Sequence, residues 1–353
     1  MRKKTAVKLG LAAGFLLFQG LLVLTASTDT PPIRNSEGKV LPNSIAEFEW
    51  VTLGGVKQRL LVRGVHANNP VLLVVHGGPG APEFAALRHF NGELERHFTV
   101  VHWEQRGAGR SFDESLSSSD VNLERIIADL DELVTLLKQR FGQNRIYLLA
   151  HSWGTIIGAL YARDHPENLA AYIGVGQSVW PMESEDRAYD FLVAEAAARK
   201  DADMQERLAE MGRPPHSLFQ MMSEHGYIDD YGGALRYPGG AQALFFDLWS
   251  EPEMSWLDVY LYARGAWFSI STLADETKTI NLMDSATRFA VPVYFTLGRY
   301  DHQVDSKLAA EYFDLIQAPS KRLMWFENSA HNPNVEEPDL FNKFMVETVL
   351  GSR

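Results

Sequence analysis

Three short stretches of this 353-residue chain carry residue types that could react together. Ala150-His151-Ser152-Trp153-Gly154 sets a serine between small residues, with an apolar run before it and a helical pattern after it. A serine on such a strand-to-helix bend is presented to substrate, and its neighbours must be small because strand and helix pass close together there. A hydroxyl is a weak nucleophile until a base removes its proton. For a serine presented this way, the acid and then the base follow later in the chain. Gly298-Arg299-Tyr300-Asp301 and Ser329-Ala330-His331-Asn332 have that order, each at a loop start beyond a late apolar run. The expected set is therefore Ser152 as nucleophile, His331 as base and Asp301 as the acid that orients the base, with Asp305 as the fallback acid. His151 is expected to point elsewhere on so sharp a turn, and His302 to stand at the pocket rim. His76-Gly77-Gly78-Pro79-Gly80 follows another apolar run. Backbone N–H groups in a water-poor pocket stabilise the charge that builds on a carbonyl oxygen, and glycines let the chain come close. The donors expected are the amides of Gly78 and Trp153. The chemistry implied is hydrolysis of a small ester or amide through an acyl-enzyme on Ser152.

Such residues need a rigid frame, and the hydrophobic pattern supplies one. Residues 47–64 read as two strands around a Gly54-Gly55 turn. Val71–Val75 is short and wholly apolar, as suits a strand buried on both faces, and the sign recurs at Phe98–Trp103, Ile146–Ala150, Ala171–Val175, Val291–Leu297 and Arg322–Phe326. Helical patterns lie between them. In the clearest, Val121 to Leu137, the apolar stripe runs from Leu123 to Leu137 and Asp120 stands where an N-cap belongs. Alternating strands and helices predict an α/β fold with a mostly parallel central sheet flanked by helices. The rhythm breaks over 180–285, where helical stretches (Ala188–Arg199, Met204–Met211) and half of the tryptophans are found. That segment is read as a helical cap between two parts of the core, 47–179 and 286–353. Its aromatics fit the core of a small helical subdomain, and some fit the lining of a pocket facing the main sheet; the two readings are compatible.

Composition excludes other classes. The net charge of -12 offers no basic field for a nucleic acid. The absence of cysteine removes disulfides, thiolate metal sites and a cysteine nucleophile. No metal or dinucleotide motif competes, so no cofactor is expected. At the N-terminus, Arg2, Lys3, Lys4 and Lys8 precede an apolar run from Leu9 to Leu24, followed by Ala26 and Ser27. This reads as an export signal over 1–27, retained as a membrane anchor with the catalytic domain outside the cytoplasm, or cleaved to release a secreted protein. Residues 28–46 are read as a linker.

At His76–Gly80, Trp103-Glu104-Gln105-Arg106-Gly107-Ala108-Gly109-Arg110-Ser111, His151–Gly154 and Gly298–Asp301 the sequence resembles the proline iminopeptidase-like branch of the α/β-hydrolases, over roughly Phe48 to Leu350. The resemblance implies the α/β-hydrolase fold, the triad Ser152, Asp301 and His331, the oxyanion donors Gly78 and Trp153, and a structural wall near the site formed by the Trp-x-Gln-Arg-Gly-x-Gly loop, residues 103–109. Glu104 stands where that family usually has Asp. Relatives of this kind hold a substrate's free amino group with cap glutamates, and an ammonium taken out of water does need a carboxylate nearby. The cap offers Glu183, Glu185, Asp186, Glu251, Glu253 and Asp258, flanked by Trp180, Trp249 and Trp256. Glu183 and Glu185 are preferred because they sit where the chain leaves the sheet. The family also includes esterases and amidases. Three readings therefore stand: an iminopeptidase-like enzyme acting on short peptides, a carboxylesterase or amidase with no free-amine requirement, and a hydrolase-like binding or signalling module.

Overall fold

The computed structural model describes residues 29–351. The expected export or anchor segment, 1–27, lies outside them. Among the described residues no helix is long and apolar enough to cross a membrane.

The chain opens with a hairpin, β1 (Ile45–Leu53) and β2 (Val56–Gly64), then β3 (Val71–Val75), helix α1 (Phe84–Asn91), β4 (Thr99–Glu104), α2 (Leu123–Phe141), β5 (Ile146–His151), α3 (Gly154–Asp164) and β6 (Leu169–Val175). A helical insertion follows: α4 (Pro181–Arg199), α5 (Ala202–Met211), α6 (Leu218–Asp230), α7 (Gly240–Trp249), α8 (Trp256–Lys278) and α9 (Leu282–Ser285). These occupy the segment read as a cap. The chain then returns to the sheet with β7 (Val293–Gly298), α10 (Ser306–Leu315) and β8 (Lys321–Phe326).

The eight strands form one sheet in the order β1-β2-β4-β3-β5-β6-β7-β8. β1, β2 and β4 are joined antiparallel, and every pairing from β4 through β8 is parallel. The apolar runs are continuous because both faces are covered. In β3, Val71, Leu73 and Val75 pack into the core beneath α2, while Leu72 and Val74 face a second core that takes Leu87 of α1. β5 divides the same way, Ile146, Leu148 and Ala150 against Tyr147 and Leu149. Burying each such aliphatic side chain contributes roughly 1.5–3 kcal/mol, which makes this two-sided core the rigid base of the molecule.

One expected cap moves. Asn122, not Asp120, caps α2, its side chain accepting from the Arg125 amide at 2.9 Å. Asp120 instead closes a short 3-10 turn by accepting from the Ser117 amide. The interposed turn displaces the helix start to Leu123.

Candidate active site

Ser152 follows β5 directly and precedes α3, and its φ of 53° lies in the left-handed region that residues with a Cβ avoid. Such a conformation costs on the order of 1–3 kcal/mol and persists only where the surroundings over-determine it. Here they do. A Cβ added at Gly154 would lie 2.5 Å from the His76 carbonyl oxygen, and one at Gly77 would lie 2.7 Å from the Ser152 Cβ. The bend and the glycine loop after β3 are thus locked together, and neither can carry larger residues.

Asp301 lies just beyond β7 and His331 beyond β8, two loops that the parallel sheet delivers to the same edge as Ser152. His331 Nε2 is 2.8 Å from Ser152 Oγ, and His331 Nδ1 is 2.9 Å from Asp301 Oδ2. Asp301 Oδ1 accepts from the amides of Gln303 and Val304 at 2.9 and 3.2 Å. Burial pushes the Asp301 carboxyl up, but His331 and these amides outweigh it and hold the group below its ordinary value. An ionised Asp301 favours the proton on Nδ1 and so leaves Nε2 to accept from the serine. Asp305 is engaged elsewhere: it caps α10 through the Leu308 amide at 2.7 Å and pairs with Arg187 at 3.3 Å.

Gly78 and Trp153 line the same cavity of about 100 Å3 as Ser152. The Trp153 indole N–H donates to Thr277 Oγ1 of α8 at 2.9 Å, tying this wall to the cap. Behind the site, Gln105 Nε2 donates to the His76 carbonyl at 2.9 Å. Arg106 clasps Asp129 with two bonds of 2.6 Å. The 103–111 loop is therefore fastened to the core beside the glycine loop. Glu104 accepts the Arg110 amide at 2.6 Å, and burial raises its pKa to about 7 against the pull of Arg59.

His151 is not remote from the chemistry. Its ring centroid stands 4.9 Å from that of His331, and its Nε2 lies 3.2 Å from the His331 carbonyl oxygen. Its Nδ1 bonds Glu83 at 2.7 Å, and the same Glu83 oxygen accepts the Gly77 amide at 3.2 Å. Burial opposes charge on both groups, yet their mutual attraction prevails: Glu83 is held below its ordinary value and His151 above. The pair joins the glycine loop to the loop of the base. His302 does not reach the cavity; it stacks on Phe191 at 3.7 Å.

The cap residues divide sharply. Glu185 lines the cavity with Ser152. Its Oε2 is buried without a hydrogen-bond partner, and burial raises its pKa. Glu183, two residues earlier on α4, is spent on Arg187 at 2.8 Å. Trp180 packs against the main core beneath the cap. Trp249 lines a different cavity, and Trp256 leans on it at 4.3 Å with 43% of its own surface exposed. None of these last four lines the cavity of Ser152. Of the remaining acids, Asp186 pairs with Arg213 within the cap, and the other three hold the cap down: Asp258 pairs with Arg59 and Arg110, Glu253 with Arg88 and Arg63, and Glu251 with His89.

Sequence reasoning missed Glu224 of α6. It is fully buried, neither carboxylate oxygen has a hydrogen-bond partner, and burial, reinforced by Glu185, raises its pKa to about 7 despite His216. His216 Nδ1 stands 3.4 Å from it, while His216 Nε2 donates to the Gly212 carbonyl. The one local signal is spacing, since Glu224 shares the buried face of α6 with Ile228, one turn on. His225 and Lys278 also line the cavity, and burial together with His331 lowers the His225 pKa to about 4, leaving it neutral.

Comparisons with known proteins agree with this frame. A family model described as the alpha/beta hydrolase fold matches residues 70–338. The probable aminopeptidase YbaC of Bacillus subtilis is 32% identical over 304 residues, covering 84% of this chain and 94% of its own. A proline iminopeptidase of Heyndrickxia coagulans is 23% identical over 76% of this chain and 86% of its own. Among solved structures, the proline iminopeptidase-related protein of Thermus thermophilus superposes with a TM-score of 0.60 at 19% identity, over 87% of this chain and 98% of that one. The family match and the sheet order together establish that the chain belongs to the α/β-hydrolases, in their proline iminopeptidase-like branch, and is a hydrolase.

Proposed function

We propose that the protein is a serine aminopeptidase that removes a small N-terminal residue, proline being the best fit, from short peptides. The observation that carries this reading is Glu185 in the cavity of Ser152, with a buried oxygen that accepts no hydrogen bond, backed by the buried Glu224, which accepts none at either oxygen and has only His216 nearby at 3.4 Å. Carboxylate oxygens left without donors in an apolar cap are costly unless a cation completes them. A cavity of about 100 Å3 admits one small side chain and its amino group, not a long acyl chain. The names of the relatives point the same way.

In this reading His331 Nε2 takes the proton as Ser152 Oγ attacks the carbonyl carbon, and the amides of Gly78 and Trp153 receive the oxyanion. The tetrahedral intermediate collapses when His331 gives that proton to the leaving amine. A water, deprotonated in turn by His331, releases the acid and restores the serine. Asp301 holds the imidazole throughout. The amino terminus of the substrate is held by Glu185, with the buried Glu224 behind it adding negative charge, which fixes the length of chain that reaches Ser152. On sequence grounds, residues 1–27 tether this domain to the outer face of a membrane.

The second reading, an esterase without amine recognition, draws on the apolar side chains of Met221, Ile270, Ala274 and Val304 in the same cavity. A prolyl arylamide and its N-acetyl form separate the two. The amine form should be preferred by roughly 30- to 1000-fold in kcat/KM, the size of a lost buried charge contact. Equal rates on both would eliminate the aminopeptidase and leave the esterase.

A further inference from the structure

At the corner where α7 meets α8 the cap leaves large aromatic side chains in water. Phe245 is 44% exposed, Phe246 61%, Trp256 43% and Tyr260 37%. They are contiguous. Phe246 meets Phe245 at 5.8 Å, Phe245 meets Trp249 at 6.3 Å, Trp249 meets Trp256 at 4.3 Å, and Tyr260 follows one helical turn beyond Trp256. Beneath them lies an apolar cavity of about 360 Å3, larger than the cavity of Ser152 and sharing no lining residue with it. Phe84, Leu244, Phe245, Leu248, Trp249 and Met254 line it. A contiguous apolar face of this kind marks an interaction surface.

The start of the described chain indicates what covers it. Thr30 is hydrogen-bonded to Glu253, in the turn between α7 and α8, and to Arg63 of β2, whose Nη1 also donates to the Pro31 carbonyl at 2.8 Å. Glu253 is fully buried and ion-paired with Arg88 at 3.1 Å, so this is a firm attachment. The apolar run Leu9–Leu24 ends six residues before Thr30. Extended chain reaches at most ~3.5 Å per residue, so the end of that run lies within about 20 Å of Thr30, which is itself bonded to the turn between α7 and α8.

We propose that the α7–α8 corner docks on the lipid bilayer that takes up residues 9–24, with Trp256 and Tyr260 at headgroup level and the cavity beneath Phe245 open to a lipid alkyl chain. Tryptophan and tyrosine favour that depth, where the ring is apolar and its polar edge stays wet. The net charge of -12 gives acidic headgroups no overall attraction for the chain, so the docking is apolar and needs no anionic lipid. The inference rests on reading the N-terminal segment as an anchor, and the two can fail separately.

The absence of cysteine makes the test direct. Full-length protein carrying Phe246→Cys, labelled with an environment-sensitive fluorophore, is mixed with phosphatidylcholine vesicles containing nitroxide-labelled phosphatidylcholine. Asp314→Cys in α10, at the opposite end of the sheet, is the control. Ester turnover by each labelled protein reports that it is folded. The expected result is flotation with the vesicles and quenching at position 246 at least about threefold stronger than at 314. No flotation overturns the anchor and the docking together. Flotation with equal quenching at both positions keeps the anchor and overturns the docking. A blue-shifted but unquenched label at 246 means that residues 1–28 or a second copy covers the face, and flotation that requires acidic lipid means that charge drives it; either result also overturns the proposal.

Discussion

The sheet edge and the cap treat their polar groups in opposite ways. At the sheet edge Ser152, His331 and Asp301 are each bonded, down to the two amides that hold the acid. In the cap facing them, Glu185, Glu224 and His216 keep buried atoms without hydrogen-bond partners. A group bonded before substrate arrives is set for a reaction whose charge must be met without reorganisation. A buried carboxylate without a donor is destabilising alone and is stabilised by a cationic ligand. In the proposed reading, the first region serves chemistry that any ester or amide could undergo, and the second selects among substrates.

Breaking the bonded side should have the larger effect. Asp301→Asn should fold and lose about 10⁴-fold in kcat, because the amide favours the wrong imidazole tautomer; Asp305→Asn should be mild, since that residue caps a helix. A severe loss from Asp305→Asn with a mild one from Asp301→Asn would reverse the assignment of the acid. On the unbonded side, Glu185→Gln with Glu224→Gln should lower kcat/KM for a free-amine substrate by roughly 100-fold while sparing a neutral nitrophenyl ester. If both substrates suffer equally, the cap carboxylates are structural.

The pH dependence sharpens the same contrast. Glu224, with its pKa raised to about 7, takes up a proton as the pH falls through that value and loses the charge an ammonium needs. KM for the amine substrate should therefore rise below pH 7 while KM for the ester stays flat, as a steady-state series over pH 5.5–8.5 (roughly spanning that pKa) would show. The smallest effect belongs to the Glu83–His151 pair. Glu83 is depressed below 4.5, so its contribution to stability is present above 4.5 and is lost as the pH falls through its folded value. His151 is raised above 6.5, so its contribution is present below 6.5 and is lost as the pH rises through its folded value. Glu83→Gln should thus cost about 1–3 kcal/mol of stability, chiefly between those two pH values. A denaturation difference that does not vary with pH would show that the pair is not ionised.

The sequence was most legible where local pattern and chemistry coincide. Val71–Val75 is a strand over the predicted residues because a wholly apolar pentapeptide ending in glycines has few other uses. Ser152, Asp301 and His331 could be read from their order and from the strands before them, and the fold brings the three together. The helix starting at Leu123 was shifted because Ser117 and Asp120 form a local turn that competes for the cap.

The cap was far less legible. Acidic residues there look alike in sequence, and whether each is paired depends on what other elements place beside it. Glu183 met Arg187 on its own helix, Asp258 met Arg59 of β2, and Glu253 met Arg63 and Arg88. Glu185 and Glu224 were left with buried oxygens that accept no hydrogen bond, Glu224 with only His216 nearby at 3.4 Å. Trp249 and Trp256 turned toward each other at the far corner and not toward Ser152. By itself the sequence determined the sheet, the bend at Ser152 and the identity of the groups delivered to its edge, because apolar period and small-residue spacing are local. Only the tertiary structure decided which carboxylates lack hydrogen-bond donors and which aromatics remain in water, because bonding and burial are properties of neighbours far apart in the chain.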